Sequence, residues 1–136
     1  MERAFLDANV LFSAAYKTNA SLTKLWHLSD VEFVTSAYAA EEATRNITLA
    51  KPDRLSALQD LLMQTRIISD PAQFPDLPKT IDLKAKDRPI LAAAIAAHCR
   101  YLITGDKTDF GSYYGQTVRG VLILPPGEFI RLSTRQ

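Results

Sequence analysis

The chain has 136 residues, 47% hydrophobic and 23% charged, with 16 Lys and Arg against 15 Asp and Glu and a formal net charge of +1. That length suits one domain with a real core, and the composition excludes disordered, collagen-like and coiled-coil classes. Near-neutrality excludes the basic excess of a protein that coats nucleic acid by counterion release, but is compatible with an acidic site rimmed by Arg45, Lys84, Lys86, Arg88 and Lys107.

Taken in chain order, Arg3 to Leu6 reads as a short strand and Asn9 to Ala15 as the start of a helix after a tight turn. Ser21 is placed to cap a helix whose apolar face carries Leu22, Leu25, Trp26 and Leu28, a face that suits either core or a partner surface. Val31 to Thr35 predicts a second strand. Ser36 then caps a helix to about Ile47, with Ala39, Ala43 and Ile47 on one row, and Pro52 opens another carrying Leu55, Leu58, Leu61 and Leu62. Arg66 to Ile68 is a third strand, followed by a Pro-rich exposed connection from Asp70 to Pro78. Asp87 stands as an N-cap before Arg88-Pro89 and the apolar run Ile90 to Ala97. Tyr101 to Thr104 and Val121 to Leu124 complete the strands, and Pro126 to Leu132 forms a last short helix.

Strands separated by helices predict a mostly parallel sheet covered on both faces, in a single domain over residues 1–136. The start Met1 to Asp7 has no basic leader with an apolar stretch, and no apolar run approaches ~18 residues, so the expectation is a cytoplasmic protein without membrane contact. Cys99 is the one cysteine and reads as core; it and the distant His27 and His98 do not have zinc-site spacing.

Asp7, Glu42, Asp87 and Asp106 each fall where an element begins or ends, with Asp7 and Asp106 expected at the carboxyl ends of buried strands, which border the ligand crevice of an open α/β sheet. Gathered carboxylates repel one another unless a cation offsets them, so the pattern points to a divalent metal. Taken singly, each has an ordinary structural reading: turn formation for Asp7 and Asp106, capping for Asp87, a solvated helix face for Glu42.

Four segments in order, Leu6-Asp7-Ala8-Asn9-Val10-Leu11, Ser36 with Glu41-Glu42, Lys86-Asp87-Arg88-Pro89-Ile90-Leu91, and Thr104-Gly105-Asp106-Lys107-Thr108-Asp109-Phe110, resemble the acidic motifs of PIN-domain ribonucleases, the group that includes VapC-type toxins. The resemblance spans nearly the whole chain. It implies a three-layer α/β/α fold and Mg²⁺- or Mn²⁺-dependent endoribonuclease activity, with Asp7, Glu42, Asp87 and Asp106 as catalytic metal ligands. It also implies the toxin role in a toxin–antitoxin pair, with an RNA substrate, an antitoxin partner and a homodimeric state. Glu41 competes with Glu42, since adjacent helix positions diverge by about 100° and only one readily faces the site. Asp109 is a candidate to share or replace the role of Asp106. Asn9 and Thr104 are placed to orient neighbouring carboxylates, and Arg45, Lys86 and Lys107 are candidates for phosphate contact. Tyr113 and Tyr114 suit either base stacking or a turn packed on the sheet. The competing functions are a catalytically silent PIN-like domain that binds RNA or protein, and a Mg²⁺-dependent phosphatase; the latter is disfavoured because Asp7-Ala8-Asn9 lacks a second aspartate two residues on.

Overall fold

The computed structural model describes residues 1–70, 73 and 75–134. Its elements are β1 (Glu2–Leu6), α1 (Ala8–Tyr16), β2 (Val31–Ser36), α2 (Ala37–Ala50), α3 (Leu55–Met63), β3 (Arg66–Ile68), α4 (Arg88–Ala96), β4 (Tyr101–Ile103), β5 (Thr117–Val118), β6 (Val121–Leu124) and α5 (Pro126–Thr134). The strands form one sheet in the order β3-β2-β1-β4-β6-β5, parallel throughout except for the terminal β5–β6 hairpin.

The central strands are uninterrupted apolar runs because helices cover both faces of the sheet. Ala4, Phe5 and Leu6 of β1 and Leu102 and Ile103 of β4 are wholly buried. The α1, α2 and α3 helices pack on one another, while α4 packs against β2 and β4. This is the expected three-layer α/β/α arrangement with a mostly parallel sheet. No described helix is long and apolar enough to cross a membrane.

Ser36 ends β2 and starts α2: its backbone is extended, and its buried hydroxyl accepts from the Ala39 amide at 3.1 Å. Ser36→Ala should therefore lower stability by about 1 kcal/mol, read as a shifted denaturant midpoint with unchanged slope.

Several sequence expectations are corrected. Ser21 does not cap an α-helix; residues Ser21–His27 form a 3-10 segment behind Ala20. There both the amide and the hydroxyl of Thr23 bond the Ala20 carbonyl, at 3.0 and 2.6 Å, which tightens the turn to an i to i+3 pattern. Pro52 opens a 3-10 turn, Pro52–Arg54, and the α-helix begins only at Leu55. Asp87 precedes α4 but does not cap it. Its backbone is already helical; Pro89 has no amide hydrogen to offer, and the Ile90 amide bonds the Asp87 main-chain carbonyl at 3.1 Å. The carboxylate is thus left for another role.

The β5–β6 hairpin was not expected. Its two-residue turn, Arg119-Gly120, has φ of 51° and 85°, a twist that matches the flanking strands but lacks the usual Asn-Gly signature. In the Pro-rich connection, Pro71, Ala72 and Phe74 lie outside the described residues. Cys99 is buried, as expected of a core thiol.

Candidate metal centre

The strand order reverses at β1. From it the chain winds outward through β2 and β3, then returns to add β4 on the other side. In such sheets the crevice at the reversal lies beyond the carboxyl ends of the two strands. The register pairs Leu6 with Ile103, so the residues that follow, Asp7 and Thr104, emerge side by side.

Asp7 is held on both oxygens. Oδ1 accepts from the Ala8 amide at 2.7 Å, and Oδ2 accepts from the Thr104 hydroxyl at 2.8 Å and the Asn9 side-chain amide at 3.2 Å. Burial pushes its carboxyl up to about 6; the hydrogen bonds from Thr104 and Ala8 oppose the rise, and the charges of Glu42 and Asp106 add to it. Asn9 also reaches across to the next loop, its Oδ1 accepting from the Gly105 amide at 2.9 Å. The Thr104 hydroxyl accepts from the Asp106 amide at 3.1 Å, and Asp106 Oδ1 accepts from the Asp109 amide at 3.0 Å. One chain of polar contacts therefore ties the start of α1 to the turn after β4.

On the other wall, Asp87, Asp106 and Asp109 bring carboxylate oxygens within 4.8 Å of one another. Asp87 is only 6% exposed, and its Oδ2 has no donor among the described residues. Burial, then the hydrogen bond and negative charge of Asp109, push its carboxyl up to about 7, while the hydrogen bond from Asp87 and the nearby Lys84 hold Asp109 low. Lys84 and Lys86 also contact Asp109, at 3.3 and 3.7 Å.

Glu42 is half-buried on α2, whereas Glu41 is exposed. Glu42 lines a groove of about 340 Å³ with Asn9, Phe12 and Asn46, and its charge acts on Asp7. Neither Asp7 nor Glu42 belongs to the close group of three. Arg45 and Lys107 are exposed at the surface. The tyrosines pack inward: Tyr114 donates to the Thr104 carbonyl at 2.8 Å, and the Tyr113 hydroxyl pairs with the Asp82 main chain.

Two participants gave little signal in the sequence. Tyr38, at the start of α2, donates to the Lys86 carbonyl at 3.0 Å and so braces the segment that carries Asp87. Lys84 looked like one of several rim cations. Only the tertiary placement of Asp109 distinguishes it.

The donor set fits a hard divalent cation. All the donors are carboxylate oxygens, three lie within reach of one ion, and the buried Asp87 Oδ2 otherwise lacks a partner. A doubly wound α/β sheet with an acidic crevice at its reversal point is the class of protein that fold and site define. The chain matches the PIN domain over residues 3–108 and belongs to the PIN-domain family. Its fold is that of VapC-type toxins. It superposes on VapBC2 from Rickettsia felis, bound to a DNA fragment from its promoter, with a TM-score of 0.67 and 17% identity, covering 90% of this chain and 98% of that one. A toxin–antitoxin complex from Klebsiella pneumoniae gives 0.65 and 20% identity over 88% and 95% of the two chains. VapC20 from Mycobacterium tuberculosis, a sarcin–ricin loop cleaving toxin, gives 0.61 and 9% identity over 85% and 98%. No curated protein sequence matches the chain.

Proposed function

We propose that the chain is a single-domain, Mg²⁺- or Mn²⁺-dependent endoribonuclease and the toxin half of a toxin–antitoxin pair, working in the cytoplasm as a homodimer. The observation that carries this reading is the buried Asp87 carboxylate, with one oxygen unpartnered, close to Asp106 and Asp109 beside the sheet reversal. The antitoxin partner is supported by likeness to the toxin–antitoxin complexes named above, and the homodimer by the family resemblance of the motifs.

In this reading Asp7, Glu42, Asp87 and Asp106 hold the cation directly or through water, and Asp109, which shares the close group with Asp87 and Asp106, joins them. When bound, the cation would lower the pKa of a water and offset charge on the phosphate. The chain supplies the rest. Thr104 and Asn9 fix the Asp7 carboxylate so that its oxygens need not reorganise, and removing such an orienting partner typically costs about 10- to 100-fold in metal affinity or activity. Arg45, Lys86 and Lys107 are exposed cations for the phosphates of a single-stranded RNA. No histidine base is needed, and neither His27 nor His98 belongs to the site.

The test is cleavage of a labelled single-stranded RNA in Mn²⁺ or EDTA, with Asp106→Asn purified identically. Metal-dependent cutting reduced about 10²- to 10³-fold in the variant is the expected result. Equal cutting by both proteins would refute the assignment, and metal-independent RNA binding without cleavage would favour a silent PIN-like domain.

A further inference from the structure

The Asp109 side chain is 8% exposed, yet the two lysines on it have side chains 64% and 62% exposed. Ion pairs with such solvated partners are weakly held and readily exchanged. Nor does the main chain depend on them. Asp87 and Arg88 amides bond the Lys84 carbonyl at 2.9 and 3.1 Å, and Tyr38 bonds the Lys86 carbonyl, so the turn is braced without either ammonium group. One short segment thus delivers a buried carboxylate and two loosely held cations to the same crevice.

We propose that Lys84 and Lys86 are resident counter-ions of the acidic crevice, displaced when the divalent cation enters and then available to a phosphate of single-stranded RNA. The inference rests on the metal-dependent nuclease reading above. While they sit on Asp109, the ammonium charges oppose a divalent cation beside it. Once turned away, they favour an anion at the rim. Cation and phosphate binding are then coupled, and by linkage each strengthens the other by the same factor.

The test measures Mn²⁺ binding to the full chain by electron paramagnetic resonance, with and without a thymidine tetranucleotide whose integrity is checked afterwards. Lys84→Met with Lys86→Met should bind Mn²⁺ about fivefold or more tighter than wild type without nucleic acid. The tetranucleotide should then tighten Mn²⁺ binding less than it does in wild type. The double arginine variant keeps both charges and should behave as wild type, and Lys79→Met, an exposed lysine of the preceding connection, should leave Mn²⁺ affinity unchanged. Unchanged or weaker Mn²⁺ binding in the double methionine variant, or undiminished coupling, would overturn the proposal. Asp87→Asn separates the two readings. If it binds Mn²⁺ as wild type does, the carboxylate site itself fails; if it binds weakly while the methionine variant matches wild type, only the counter-ion role fails.

Discussion

Asp7→Asn is expected to cost metal-dependent RNA cleavage about 10³-fold or more while the protein remains folded. The carboxylate sits at the end of β1 with both oxygens engaged, and the amide keeps one of them: its Oδ1 can still accept from the Ala8 amide. The substitution removes the charge that would meet the cation. Burial already disfavours that charge, as the rise to about 6 records, so the variant should melt no lower than wild type at pH 8 without metal. Cleavage and thermal unfolding, measured on the same preparation, separate chemistry from folding. A variant that cuts RNA at the wild-type rate would exclude Asp7 from the reaction, and one that is inactive because it is unfolded would show it in the melt.

The cation-free protein should lose stability as pH rises through the same range. Asp7 titrates at about 6 in the folded chain and near 3.9 when unfolded, so the unfolded state releases its proton first. The stability this group contributes is fully present below about pH 4 and lost as pH passes 6, to about 3 kcal/mol over the whole span and roughly half of that between pH 5 and 8. Asp87, raised to about 7, acts in the same direction, and the lowered Asp109 partly opposes it. A divalent cation binds the ionised groups and should reverse the trend, adding about 2.7 kcal/mol at a hundredfold excess over its Kd. Calorimetry from pH 5 to 8 in EDTA and in Mn²⁺ should show falling and recovered melting temperatures. Flat, metal-insensitive curves would mean that the crevice neither strains the fold nor holds a cation.

The architecture was legible because its signals are local. Runs such as Ala4-Phe5-Leu6 and Tyr101-Leu102-Ile103, apolar without alternation, read as strands buried on both faces, and Ser36 read correctly as a cap because its target amide follows three residues later. The errors arose where local preference met a competing bond. Thr23 drew the Ser21 segment into a tighter helix, and the already helical backbone of Asp87 gave the Ile90 amide to its main-chain carbonyl in place of its carboxylate. The β5–β6 hairpin escaped because its turn uses Arg119 at positive φ in place of a residue that adopts that conformation easily.

By itself, the sequence determined the three-layer α/β/α class, the order of the main parallel strands and helices, and the family, because periodicity, strand-end carboxylates and motif order are properties of the chain alone. Tertiary structure decided which carboxylates meet. Asp109, a secondary candidate in sequence, stands with Asp87 and Asp106, while Asp7 and Glu42 lie outside that close group and Asp7 feels the charges of Glu42 and Asp106. It also decided that Lys84 and Lys86 rest on Asp109 and that Tyr38 braces their turn. The physical reason is separation along the chain: Lys84 and Asp109, or Tyr38 and Lys86, lie dozens of residues apart, and only the folding of the sheet about its reversal point brings their side chains together.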